Sequence, residues 1–131
     1  MRIFGIGTDI VNIRRIEHLL KKRKFTFKNK IFSKKEISYC EKKKNSSSFY
    51  AKRFAAKEAF SKALGTGIRK GVNLKDIEVF NNAYGKPSIL LKGSLKNYLK
   101  KKVKSKKYDI HLSLSDDNPW AQATVIISYN K

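Results

Sequence analysis

The stretch Phe49 to Leu64, FYAKRFAAKEAFSKAL, constrains this chain more than any other. It is rich in helix formers. Asn45 to Ser48 precede it as a loop ending in an N-cap, and Gly65 stands where a C-cap belongs. Ala51, Ala55, Ala59 and Ala63 recur every four residues, so they line one side of the predicted helix. An alanine stripe is smooth, and another element can pack against it closely. The same helix carries Glu58 among Phe54, Ala55 and Ala59. A carboxylate in such company is partly buried and wants a cation. The competing reading is a surface i,i+4 pair with Lys62, worth a few tenths of a kcal/mol.

Around this helix the chain reads as an α+β fold. Residues 2–13 alternate as a strand, with Ile6, Thr8 and Ile10 on one face and Gly5, Gly7, Asp9 and Val11 on the other. Gly5 and Gly7 leave room for something bulky to approach Asp9; the plainer reading is an edge-strand carboxylate facing water. Ile13, Ile16, Leu19 and Leu20 follow a helical spacing, and residues 33–43 form a short helix with Ser33 as N-cap. The second half reads as a strand from Ile77 to Phe80, a turn-rich loop over 81–87 and a strand from Ser88 to Leu91. An amphipathic helix then carries Leu95, Leu99 and Val103. Asp109 to Ser115 and Trp120 to Tyr129 close the chain as strands joined by Asp116 to Pro119. The expected architecture is a single domain, 1–131, with a largely antiparallel sheet packed on the central helix.

Composition excludes several classes. Cys40 is the only cysteine, so neither a disulfide scaffold nor a cysteine zinc site is available. No apolar run approaches the roughly 20 residues that cross a bilayer, and the N-terminus lacks signal-peptide features; a cytoplasmic location is expected. The net charge is +21, but 25 of the 31 cations are Lys, scattered in short runs. Arg is the usual choice for phosphate recognition, and aromatics are not interleaved with the runs. A solvated Lys-rich surface explains most of the charge, and a nucleic-acid-binding module is the weaker reading. His18 reads as solvent-facing. His111 lies on the polar face of a strand with Ser113 and Ser115; a hydrolase built from Ser113, His111 and Asp116 lacks a nucleophile elbow. Gly65-Thr66-Gly67 follows Lys62 in the wrong order for a P-loop. Two carboxylates and several cations together suit Mg²⁺ and a phosphate ester.

Three blocks extend this reading: GIGTDIVNIRRIE at 5–17, RFAAKEAFSKALGTGI at 53–68 and HLSLSDDNPWAQATVIIS at 111–128, with IEVFNNAYGKPSI at 77–89 between them. In order and spacing they resemble the holo-acyl-carrier-protein synthases, the small bacterial type of phosphopantetheinyl transferase. The resemblance implies transfer of the phosphopantetheine arm from coenzyme A to a serine of apo-acyl carrier protein, releasing adenosine 3′,5′-bisphosphate. It implies Mg²⁺ held by Asp9 and Glu58, with Lys62 near the phosphates. Arg53, Gly85, Lys86, Pro87 and His111 fall where relatives line the coenzyme pocket. Arg15, with Arg14 beside it, falls where relatives meet the carrier protein. Relatives are homotrimers with active sites between subunits. Either Glu58, directly or through water, or Asp9 would serve as base. One departure is visible: Asp116 stands where some relatives carry His. An inactive scaffold remains the alternative within the family, opposed by the intact Asp9, Glu58 and Lys62.

Overall fold

The computed structural model describes residues 1–65, 72–105 and 107–130. The elements run β1 (Arg2–Asn12), α1 (Ile13–Lys22), α2 (Lys24–Ile31), α3 (Lys34–Glu41) and α4 (Ser46–Leu64). A 3₁₀ turn (Leu74–Asp76) leads to β2 (Ile77–Asn81), β3 (Pro87–Leu91), α5 (Leu95–Val103), β4 (Tyr108–Asp117) and β5 (Trp120–Tyr129). All strand pairing is antiparallel. It divides into a three-stranded sheet of order β1-β5-β4 and a separate hairpin, β2-β3. The expected α+β architecture on a central helix is what the chain adopts.

Helix α4 lies at the centre because most of its side chains are buried: Ala51, Ala55, Ala59 and Ala63 on one stripe, Tyr50, Phe60 and Leu64 on others. A helix with apolar or small residues on most of its faces belongs inside. Its alanine stripe meets β1 at the two glycines. A Cβ on Gly7 would stand 1.8 Å from the Ala59 carbonyl oxygen, and one on Gly5 1.9 Å from that of Ala63. Strand backbone therefore rests on helix backbone, which only glycine permits. In register with these glycines, Val125 and Ile127 of β5 complete the inner face, joined by Ala121 and Ala123. The opposite face leaves Ile6 and Ile10 63% exposed, with Thr8 and His111 also open.

Local signals fared unevenly. Ser33 caps α3 through a full capping box with Glu36, and Gly65 ends α4 with φ of 88°. The start of α4 differs from expectation. Its helix begins at Ser46 after Asn45, and the Ser48 hydroxyl donates back to the Asn45 carbonyl at 3.0 Å instead of marking the cap. Helix α2 and the 3₁₀ turn had no clear periodic signal. Thr66 to Ile68 of the second sequence block lie outside the described residues.

Candidate active site

Asp9 comes two residues after Gly7 on the strand face that touches α4. Its approach to the helix is thus set by the glycine contact. Its side chain is only 17% exposed, unlike an edge carboxylate turned to water. Lys62, one turn from the end of α4, reaches across. Its Nζ donates to the Thr8 carbonyl at 2.9 Å and to Asp9 Oδ1 at 3.1 Å. The lysine that could have paired with Glu58 along the helix is thus engaged by the strand.

Glu58 lies one turn before Lys62 and is half-buried. Burial pushes its carboxyl above the usual range and the nearby Asp9 adds to this, while Lys62 and Arg15 oppose. Asp9, Glu58, Lys62 and Arg15 are therefore close enough to feel one another, although they come from a strand, two places on one helix and the start of another. Glu58 also faces a cavity of about 720 Å³, walled by Ile31, Phe54, Val72 and Leu74 with Asn73. Two carboxylates this near one another, with the Glu58 carboxyl raised in part by Asp9, are a fit donor set for a hard divalent cation. Among the described residues no cluster of three or more His, Cys, Asp or Glu exists. Mg²⁺ commonly takes one or two protein carboxylates and lets substrate phosphates supply the rest.

The other residues singled out in the sequence are gathered elsewhere. Arg53 is 2% exposed and turns to the opposite side of α4 from Glu58. It stacks on Tyr39 at 4.1 Å and donates from Nη2 to Asn81 Oδ1 at 2.9 Å, while its Nε is buried without a partner. With Gly85, Pro87, Phe49 and Lys52 it lines a second, smaller depression of about 170 Å³. Lys86 is exposed at the adjoining hairpin tip, its amide bonded to the Asn82 side chain. Asp116, the departure from the family pattern, pairs with Lys52 at 3.3 Å on the same side. His111 stands on the outer sheet face with Nε2 2.9 Å from Ser128 Oγ. Arg14 and Arg15 are exposed at the start of α1, whose Asn12 cap accepts from the Arg14 amide. One chain thus carries two separate clusters, one of carboxylates and one of a buried guanidinium with aromatic rings.

Sequence reasoning missed Lys57 altogether. It is fully buried and bonded to Glu36 Oε1 at 2.7 Å. Its neighbours in sequence give no hint of this, since Glu36 lies 21 residues away.

Residues 5–124 match the model of the 4′-phosphopantetheinyl transferase superfamily. The chain belongs to this superfamily. Relatives agree over nearly the whole length. The chain is 46% identical over 127 residues to the holo-[acyl-carrier-protein] synthase of Pelagibacter ubique, covering 97% of this chain and 98% of that one. It is 50% identical over 129 residues to the synthase of Wolbachia pipientis, covering 95% and 97%. Among solved structures, the Neisseria meningitidis synthase superposes with a TM-score of 0.87 at 37% identity, over 96% of this chain and 98% of that one. The Bacillus anthracis synthase, in complex with CoA (3′,5′-ADP), gives 0.81 at 36% identity over 99% and 100%. The chain is a phosphopantetheinyl transferase of the holo-acyl-carrier-protein synthase type.

Proposed function

We propose that the chain transfers the 4′-phosphopantetheine arm of coenzyme A to a serine of apo-acyl carrier protein, and that Asp9, Glu58 and Lys62 carry the reaction. The observation behind this is the convergence of Asp9 and Glu58 beside Lys62, with Glu58 also lining a largely apolar cavity. Asp9 and Glu58 would hold Mg²⁺, which when bound supplies charge neutralisation at the pyrophosphate. Lys62 adds a cation at the same place. The serine hydroxyl attacks the phosphorus that bears the pantetheine arm and forms a new P–O bond. The P–O bond to the adenosine side breaks, and its electron pair leaves on the oxygen of adenosine 3′,5′-bisphosphate. Glu58 takes the serine proton, directly or through a water. Lys62 already engages Asp9 Oδ1, whereas Glu58 faces the cavity, and this favours Glu58 as base.

The nucleotide half of coenzyme A suits the Arg53 depression. There a buried guanidinium keeps an unspent donor on Nε, and aromatic rings stand beside it. Gly85, Lys86 and Pro87 border that side, while His111, on the outer sheet face, would meet the coenzyme only across a contact between copies. Arg53 and Glu58 point to different sides of α4, so a single copy does not readily offer both to one coenzyme molecule. A homotrimer that brings the two half-sites of neighbouring copies together resolves this, and the exposed Ile6 and Ile10 give its interface an apolar face. Light scattering at micromolar concentration checks it: a fully active monomer refutes shared sites. Arg15, with Arg14 beside it, would receive the acidic carrier protein. Among the described residues no helix is long and apolar enough to cross a membrane, and the reduced, buried Cys40 suits a cytoplasmic setting. Residues 1–131 would act as one transferase domain.

The deciding experiment is turnover against Mg²⁺ concentration for Asp9→Asn and Glu58→Gln, read as the mass shift of apo-carrier protein, with melting curves alongside. Both variants should lose turnover; Glu58→Gln should melt no lower than the parent, because burial and the neighbouring Asp9 oppose its charge, and Asp9→Asn, which gives up the pair with Lys62, should lose at most about 1 kcal/mol. Near-normal turnover with unchanged Mg²⁺ dependence in either variant removes that residue from the site.

A further inference from the structure

Lys57 is the only lysine among the described residues with no exposed surface, in a chain where lysine otherwise covers the outside. Its three ammonium donors are all used: Glu36 Oε1 at 2.7 Å, the Leu74 carbonyl at 2.8 Å and the Ile77 carbonyl at 2.6 Å. Glu36 is equally occupied. Its Oε1 also accepts from the Ser33 amide at 2.9 Å, and its Oε2 accepts from the Val79 amide at 3.0 Å. Taking two charges out of water costs several kcal/mol per ion, and well-packed apolar residues often stabilise a fold as well. A buried pair is therefore weak evidence of a role in stability alone. What it does supply, and a methionine could not, is a fixed position for backbone carbonyls.

The carbonyls it fixes belong to the segment from Leu74 to Ile77. Leu74 and Lys75 of that segment, with Val72 and Asn73 just before it, form one wall of the cavity beside Glu58. The opposite wall is α4 itself, through Phe54 and Glu58. Lys57 projects from α4 next to Glu58 and ties the far wall to the helix that bears the carboxylate. Ile31, Phe54, Val72 and Leu74 make the cavity largely apolar, while Asn29 and Asn73 offer amide groups. Lys30 and Lys75 also line it, but its apolar side chains and amide groups suit a chain of methylenes and amides, whereas the guanidinium stacked on a ring that suits a nucleotide is found at Arg53.

We propose that Lys57, held by Glu36, is a positioning residue for the transfer reaction. It sets the 72–77 wall at the separation from Glu58 at which the amide-bearing arm of coenzyme A is gripped. The inference rests on the placement of the reaction at Glu58 argued above. It touches no reacting atom and acts through Leu74 and Ile77.

Lys57→Met tests it, measured below the variant's own melting temperature. The KM for coenzyme A should rise roughly tenfold, short of the ~100-fold that ~1 Å of misplacement at the reacting atoms can cost. Affinity for adenosine 3′,5′-bisphosphate, which lacks the arm, should be unchanged, as should the KM for carrier protein. A merely structural lysine would lower the melting temperature and the active fraction without moving the coenzyme A KM, and that result overturns the inference. So does an equal loss of all three affinities. Because Lys57→Met strands the Glu36 charge, the double variant Glu36→Gln/Lys57→Met is measured beside it. It leaves no unpaired ion but still frees the Leu74 and Ile77 carbonyls, so it should fold and show the same selective rise. If it fails to fold, the pair is a folding element and the inference falls. Glu58→Gln separates the two readings. Normal turnover there overturns the catalytic assignment; no turnover there, beside Lys57 variants of unchanged coenzyme A KM, overturns this inference alone.

Discussion

Substituting Gly7 by Ala probes the contact on which both fold and site depend. The added Cβ would lie 1.8 Å from the Ala59 carbonyl oxygen, 2.7 Å from the Ala63 amide nitrogen and 2.9 Å from the Ala59 carbonyl carbon. All three are helix backbone, so no side chain can swing aside. To restore even a 3.0 Å approach, strand and helix must separate by about 1.2 Å at this point. Overpacking of a well-packed core costs about 1–3 kcal/mol when side chains can adjust, and a backbone clash belongs at the upper end, near 3 kcal/mol. For a chain of this length each kcal/mol lowers the melting temperature by roughly 3–4 °C, so a fall of about 10 °C is expected. The consequence for activity is separate. Asp9 is two residues away on the same strand face, and its partner Lys62 is on the displaced helix at 3.1 Å. A shift of ~1 Å there should cut turnover by on the order of 10–100-fold even in folded enzyme. Differential scanning calorimetry and carrier-protein turnover at a temperature well below the variant's transition measure the two effects. A Gly7→Ala protein that melts within 2 °C of the parent, about the scatter expected of neutral surface changes, and turns over normally would refute the strand-on-helix argument.

Arg15→Glu should raise the KM for carrier protein strongly and leave coenzyme A affinity nearly intact, with added salt weakening the parent enzyme in the same direction; steady-state kinetics at two ionic strengths check it, and an unchanged carrier KM moves the docking face elsewhere. Glu78 gives a pH signature. Its carboxyl is held below the usual range: burial pushes it up, but hydrogen bonds from Lys92, at 2.7 Å, and Ser33 outweigh this. A carboxyl lowered in the fold stabilises above its unfolded pKa and loses that contribution as pH falls through the folded one. Glu78→Gln should therefore melt lower than the parent at pH 7, with the gap closing below about pH 4. A gap that stays constant with pH would show that the ionised form contributes nothing.

Much of the frame was legible because it is written in local spacing. The alanines of α4, the alternation of β1, the Ser33 cap and the Gly65 terminus each involve residues within a few positions of one another. Such signals survive without knowledge of the partner. The start of α4 was misplaced because Asn45 and the serines that follow are all acceptable caps, and only the packing of Tyr50 and Ala51 decides where the helix must already have begun.

The residues of the candidate site were visible as types, and the three sequence blocks pointed to their role. Their pairing was not visible. Lys62 has Glu58 four residues away, yet it bonds to Asp9 at a separation of 53 residues, because two glycines bring that strand against the helix. Lys57 drew no attention in the sequence and proved to be buried, since Glu36 and the Leu74–Ile77 segment converge on it from two distant parts of the chain. The sequence alone determines which residues can form a helix, a cap or a strand, because those choices are made over a few bonds. Which charge meets which is decided by chain segments dozens of residues apart, and only the packed tertiary structure brings them within reach.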